Sequence, residues 1–157
     1  RPRVGVIARD PARDPARVNC PVIFTELGYA AEGNEGHTIG DFSKVETQAH
    51  AVVKYYTMSI AQGIDCVQWF EGRDGDSGPL GLISAKGEKR PAYIALASMI
   101  EHLGKFPQYL GWLKLNDKHY GFVFSGAKGT VLVTWAASLT KEEVNFGQEV
   151  TIVDPLT

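Results

Sequence analysis

One stretch constrains the fold more than any other: Val22 to Phe70 reads without interruption as strand, helix, strand. Val22-Ile23-Phe24-Thr25 is a short apolar, β-branched run, the pattern of a strand buried on both faces. It leads into Glu26-Leu27-Gly28, and a glycine-rich polar loop continues to Asp41. Ser43-Lys44-Val45-Glu46 is a capping box, whose serine and glutamate side chains satisfy free amides at a helix start. Val45, Ala49, Val52, Val53, Tyr56 and Ile60 then recur on one helical face, and Gly63 suits a left-handed cap. Ile64 to Phe70 reads as a second buried strand. The unit is therefore a right-handed βαβ crossover with parallel strands.

Glycines punctuate a second long loop, Glu71 to Arg90, after which Pro91 sits where a helix tolerates it, in the first turn. Ala92, Ala95, Leu96, Met99, Ile100 and Leu103 form the apolar face of that helix, and Gly104 marks its end. Beyond Pro107 the period becomes strand-like. Tyr120–Ser125, Thr130–Trp135, Glu143–Phe146 and Glu149–Val153 read as short strands, so an α/β part (1–104) hands over to an antiparallel β part (105–157). Residues 1–20 are less regular: Asp10-Pro11-Ala12-Arg13 is repeated as Asp14-Pro15-Ala16-Arg17, a proline-broken connection, preceded by one short candidate strand at Val4–Ala8.

Composition narrows the function. At 157 residues with 44% hydrophobic and 22% charged residues, the chain can bury a real core. A net charge of −2 offers no footprint for nucleic acid, and no apolar run is long enough to span a membrane. The absence of an initiator Met and of an apolar leader gives the expectation of a processed or truncated chain without a visible signal peptide. Cys20 and Cys66 are too few for a disulfide scaffold and read as buried free thiols rather than a bridge.

Glu26 is the most informative residue. A strand delivers its carboxylate at the C-terminal edge, directly before a glycine-rich loop, where ligands bind in parallel α/β sheets. The next strand ends in Gln68-Trp69-Phe70-Glu71, bringing an indole and a second carboxylate beside the first. A carboxylate flanked by an aromatic face suits a sugar: one group attacks or stabilises the anomeric carbon, the other stacks on pyranose C–H groups. The plainer alternatives are a structural carboxylate in a salt bridge and a core tryptophan.

The stretch Pro21-Val22-Ile23-Phe24-Thr25-Glu26-Leu27-Gly28-Tyr29 resembles the seventh strand of clan A retaining glycoside hydrolases, which present their nucleophile in a T-E-x-G context. Ala61 to Glu71 is similar to their eighth strand, which ends in a substrate-facing Trp. Gly81-Leu82-Ile83 and Lys89-Arg90-Pro91-Ala92-Tyr93 resemble the stretch before their last helix, and Tyr120–Val153 resembles the β-sandwich appended in family 39, xylosidase-like members. The resemblance implies an α/β fold: the C-terminal portion of a (β/α)8 barrel followed by a small antiparallel β-sandwich. It implies Glu26 as nucleophile and Trp69 as sugar platform, with Tyr29, His37, Glu71 and Asp74 as contacts argued from loop position. No cofactor or metal is implied. The partner would be an oligo- or polysaccharide, and secretion or a periplasmic location would follow from the family's habits.

The departures are equally informative. A complete barrel takes about 250 residues. The clan's acid/base Glu lies in an Asn-Glu-Pro context that is missing here, Asn34-Glu35-Gly36 being a poor substitute. One expectation is thus a retaining hydrolase part that needs a missing segment or second chain. The other is a noncatalytic carbohydrate-binding or structural fragment. Gly75-Asp76-Ser77-Gly78-Pro79-Leu80 resembles a trypsin-type serine segment, but the upstream βαβ pattern contradicts that fold and the stretch reads as a polar turn. Asp74 and Asp76 fail as a calcium loop, since the twelfth position is Ala85, and the four histidines lack zinc spacing.

Overall fold

The computed structural model describes residues 21–31, 44–115, 119–136 and 143–156. Strand β1 (Ile23–Leu27) is followed by α1 (Lys44–Ala61) and β2 (Cys66–Trp69), then α2 (Pro91–Leu103). Strands β3 (Gln108–Lys114), β4 (His119–Gly126) and β5 (Gly129–Ala136) complete the order. The parallel pair expected from the strand–helix–strand reading forms, with Ile23 opposite Cys66, Phe24 opposite Val67 and Leu27 opposite Trp69. Asp65 pins its start: the Val22 amide donates to Asp65 Oδ2 at 2.8 Å, and the Asp65 amide donates to the Val22 carbonyl at 2.9 Å.

Both helices end as their sequences dictate. After α1, Gly63 takes φ 71° and its amide donates to the Ile60 carbonyl. Pro91 opens α2, and Gly104 closes it at φ 80° with its amide on the Ile100 carbonyl. A left-handed residue of this kind satisfies carbonyls that the helix leaves without partners. Ala49 and Val52 of α1 bury against Ala92 and Ala95 of α2, joined by Val53, Trp69, Leu82, Leu96 and Leu156. A second cluster forms where Met99 and Leu103 of α2 meet Phe124 of β4, with Ile60, Phe122, Val131 and Val133 around them. Tyr56 packs against both clusters, so the helices serve both sheets from one continuous core.

The expected barrel portion with an appended β-sandwich is not what forms. The described residues form a small α/β arrangement of two helices and five strands in two sheets, the parallel pair β1-β2 and the antiparallel triple β3-β4-β5. The barrel expectation needed strands buried on both faces. Instead Val22, Ile23 and Phe24 are 45%, 49% and 42% exposed. The sandwich expectation needed strands at Glu143–Phe146 and Glu149–Val153, and neither segment is a strand. Their alternating apolar residues lack a paired neighbour, and Ile152 stands 87% exposed. Conversely, β3 is an addition that the sequence reading did not resolve. Ile100, expected on the buried face of α2, is 54% exposed. Cys66 is a free thiol as expected, but exposed rather than buried. Ser43 of the capping box, Cys20, the candidate strand Val4–Ala8 and the Asp-Pro-Ala-Arg repeat lie outside the described residues.

Candidate functional site at the edge of the parallel pair

The C-terminal ends of β1 and β2 meet tightly. The Phe70 amide donates to the Leu27 carbonyl at 2.8 Å, and the Phe70–Glu71 peptide that follows is cis. Gly28 lies directly against the Phe70 carbonyl oxygen, leaving no room for a Cβ. Gly28→Ala is therefore expected to force the two strand ends apart and destabilise the domain by about 1 to 2 kcal/mol. Urea denaturation measures this, and a wild-type midpoint would refute the close approach.

Side chains sort onto two faces. Along β2, Cys66 and Gln68 are exposed while Val67 and Trp69 are half-buried. Leu27 pairs with Trp69 beyond a register shift that follows Phe24, and Glu26 lies within that irregular stretch, exposed like Thr25 before it. Glu26 is exposed and has no hydrogen-bond or ion-pair partner among the described residues. Trp69 is engaged by the helices and the next loop. Its Nε1 donates to the Leu80 carbonyl at 3.1 Å, its ring lies 6.3 Å from that of Tyr55, and it packs onto the helical core. The indole thus secures the following loop.

That loop, 71–90, is held by its own backbone. The Leu82 and Ile83 amides donate to the Glu71 and Gly72 carbonyls at 3.1 Å each, and the Asp74 amide donates to the Ile83 carbonyl at 3.0 Å. Glu71 is half-buried, and its Oε1 accepts from the Gly75 amide at 2.9 Å. Asp74, expected at a ligand rim, is instead the loop's internal anchor. Both its oxygens accept from the Arg90 guanidinium at 2.6 Å, and it also accepts from the amides of Gly81 at 2.8 Å and Ala85 at 3.3 Å. The hydrogen bonds from Arg90 hold the Asp74 carboxyl below the usual aspartate range. Gly81 is buried in this anchor, where a Cβ would come within 2.5 Å of the Asp74 amide nitrogen. The Gly75–Leu80 stretch forms the polar turn its sequence suggested, with the Leu80 amide on the Gly78 carbonyl at 2.9 Å.

Tyr29, in the loop after β1, is half-buried, and its carbonyl accepts from the Gln48 amide at 2.9 Å. His37 lies outside the described residues. The structure therefore gathers Glu26, Tyr29, Trp69, Glu71 and Asp74 at one edge but assigns Trp69 and Asp74 to holding that edge together. Sequence reasoning missed Gln48 and Arg90, the two donors that organise it. Arg90 carried a usable signal: it is a cation placed just before the helix-opening Pro91, downstream of an aspartate-bearing glycine loop. Surface depressions of about 430 Å³ beside Phe106 and about 480 Å³ beside Ile152 are lined by none of these residues. Among the described residues no cluster of His, Cys, Asp and Glu is arranged to hold a metal ion, and no helix is long and apolar enough to cross a membrane.

Fold and site together define a class: among the described residues, a small two-helix, five-strand α/β domain with an exposed carboxylate, Glu26, at the end of a parallel strand pair. No protein-family model matches this chain, and no curated protein matches it significantly.

Proposed function

We propose that the chain carries the nucleophile-bearing edge of a retaining glycoside hydrolase, with Glu26 as the attacking carboxylate. The observation that carries this reading is the state of Glu26: exposed, without a partner among the described residues, where β1 ends. A structural carboxylate at a strand end finds a donor, as Asp65 and Asp74 do. In the reaction, a Glu26 oxygen bonds to the anomeric carbon as the bond to the leaving group breaks, giving a glycosyl ester that water later hydrolyses. Retention needs a second carboxyl about 5 to 5.5 Å away to protonate the leaving oxygen. Glu71 is engaged by the Gly75 amide, so the acid/base must come from outside these residues or from another chain. General acid catalysis contributes about 10²- to 10⁴-fold, and ordinary glycosides should turn over poorly without it.

An activated substrate bypasses the acid. A 2-deoxy-2-fluoroglycosyl fluoride loses fluoride without protonation, so wild-type protein is expected to gain one glycosyl group by intact mass. Glu26→Gln should gain none, and Glu71→Gln should label as wild type. Equal labelling of Glu26→Gln would remove Glu26 from the nucleophile role. The engagement of Glu71 also favours a second reading, a noncatalytic carbohydrate-binding fragment. Calorimetric binding of an oligosaccharide with no labelling by the fluoride would select it.

A further inference from the structure

Gln48 is fully buried in α1, yet its amide group reaches two loops that are distant in sequence. Its Nε2 donates to the Tyr29 carbonyl at 2.9 Å, in the loop after β1. The same nitrogen approaches the Leu80 carbonyl at 3.2 Å and the Gly81 carbonyl at 3.4 Å, in the loop after β2. An NH₂ group has two hydrogens, so one of them serves Tyr29 and the other is shared between Leu80 and Gly81. Two of the three acceptors are themselves tied down: Leu80 also accepts from the Trp69 indole, and Gly81 from Arg90 at 2.8 Å. One further bond joins the loops, from the Ala31 amide to the Pro79 carbonyl at 2.8 Å.

The other half of the amide is informative too. Gln48 Oε1 is buried and accepts no hydrogen bond from any described residue. Leaving a buried acceptor unmet costs about 1 to 3 kcal/mol, which an apolar residue of the same shape would avoid. The donor half is therefore what this position uses.

We propose that Gln48 is the positioning residue of the candidate saccharide edge, coupling the loop that follows Glu26 to the loop that begins at Glu71. This rests on the glycoside reading for the identity of the ligand, while the coupling itself rests on the hydrogen bonds alone. Order gained by one loop on meeting a sugar is passed to the other through this buried amide, alongside the Ala31–Pro79 bond.

The test uses the full chain, with hydrogen exchange read by mass spectrometry and xylotriose as the calorimetric probe. Gln48→Met keeps the shape and removes the donors. Exchange in residues 29–31 and 80–82 is expected to accelerate together, by about tenfold for one lost buried hydrogen bond, with the β4–β5 hairpin unchanged. Xylotriose affinity should weaken by a similar factor. Gln48→Glu supplies a switch. A buried carboxyl facing three carbonyl oxygens has its pKa raised, so it is neutral and can donate near pH 5, and is ionised or expelled near pH 8. After correction for intrinsic exchange, the loops should be less protected than wild type at the lower pH, where one O–H stands in place of two N–H donors. They should loosen further at the higher pH, where the carboxylate repels all three carbonyls. Wild type should show no such dependence.

Loosening of one loop without the other, or wild-type exchange in both variants, overturns the coupling. If Gln48→Met does not fold, the pH dependence of Gln48→Glu decides alone, and a flat profile counts against the proposal. If wild-type protein binds no xylotriose, the saccharide part falls with the glycoside reading, and the exchange data still decide the coupling.

Discussion

Replacing Arg90 by Met is expected to destabilise the domain by about 2 to 3 kcal/mol in urea denaturation at neutral pH, between the values of exposed and fully buried ion pairs. The two side chains are each only 11% exposed, and both Asp74 oxygens are met by guanidinium nitrogens at 2.6 Å. Arg90 also donates to the Gly81 carbonyl, so one side chain ties the loop's acid, its buried glycine and the start of α2. Its removal leaves the carboxylate with the amides of Gly81 and Ala85 as its remaining partners. Asp74→Asn should cost less, because its amide oxygen still accepts from Gly81. The double variant should fall short of the sum, since the two positions share one interaction.

The same pair sets a pH dependence. Asp74 is held below its ordinary range in the folded state, so its contribution is complete above the unfolded aspartate value of about 3.9. It is lost as the pH falls through the lower, native value. Arg90→Met should flatten that acid limb as well as lower the plateau. A variant with wild-type stability at pH 7 and an unchanged acid limb would show that solvent screens the pair.

How much of this was legible in the sequence depends on whether the signal is local. Helix α1 was readable because Ala49 and Val52 recur at 3.6-residue spacing, and α2 because Pro91 and Gly104 bracket it. Strands β1 and β2 were readable as apolar runs, and their parallel pairing followed from the helix between them. Their burial was not. An apolar strand states what it would like to bury, and only the neighbours decide whether it does; Ile23 is left 49% exposed. Strand β3 was missed because Gly111, at φ 143°, breaks its alternation where the register to β4 shifts. The segment 143–153 misled for the opposite reason, having the alternation but no ladder.

The site divides along the same line. Glu26 was visible because a carboxylate after a β-branched run is a local pattern. The engagement of Asp74 by Arg90 was not, because it joins residues 16 apart through a loop without periodicity. Gln48 sits beside Ala49 at the border of an apolar stripe, where a glutamine reads as solvated flank. Only the loops folded over it make it a buried donor. Trp69 carried two meanings in sequence, and its bond to the Leu80 carbonyl shows the packing one at work.

Phe124→Ala carries the largest expected effect on stability, about 4 kcal/mol or roughly 10 °C in melting temperature. Phe124 is fully buried on the central strand of the antiparallel sheet, its ring 5.6 Å from that of Tyr109. Across the layer it meets Met99 and Leu103 near the end of α2. The consequence reaches beyond one cavity, because Tyr56 packs against this cluster and against the helix–helix cluster beside the candidate site. If that shared packing makes the domain one cooperative unit, the variant should lose exchange protection in β4, α1 and β2 together, in a single transition. If residues 1–104 and 105–157 fold as separate units, protection should fall in β3, β4 and β5 while α1 and β2 keep theirs. The sequence suggests that boundary through its change of period at Pro107, and the packing argues against it through Met99, Leu103, Ile60 and Tyr56, which all meet the Phe124 cluster. Hydrogen exchange on this single variant therefore weighs a local pattern against a tertiary contact. The tertiary contact is expected to prevail, since helices that lost Phe124 would expose apolar surface that nothing else among the described residues covers.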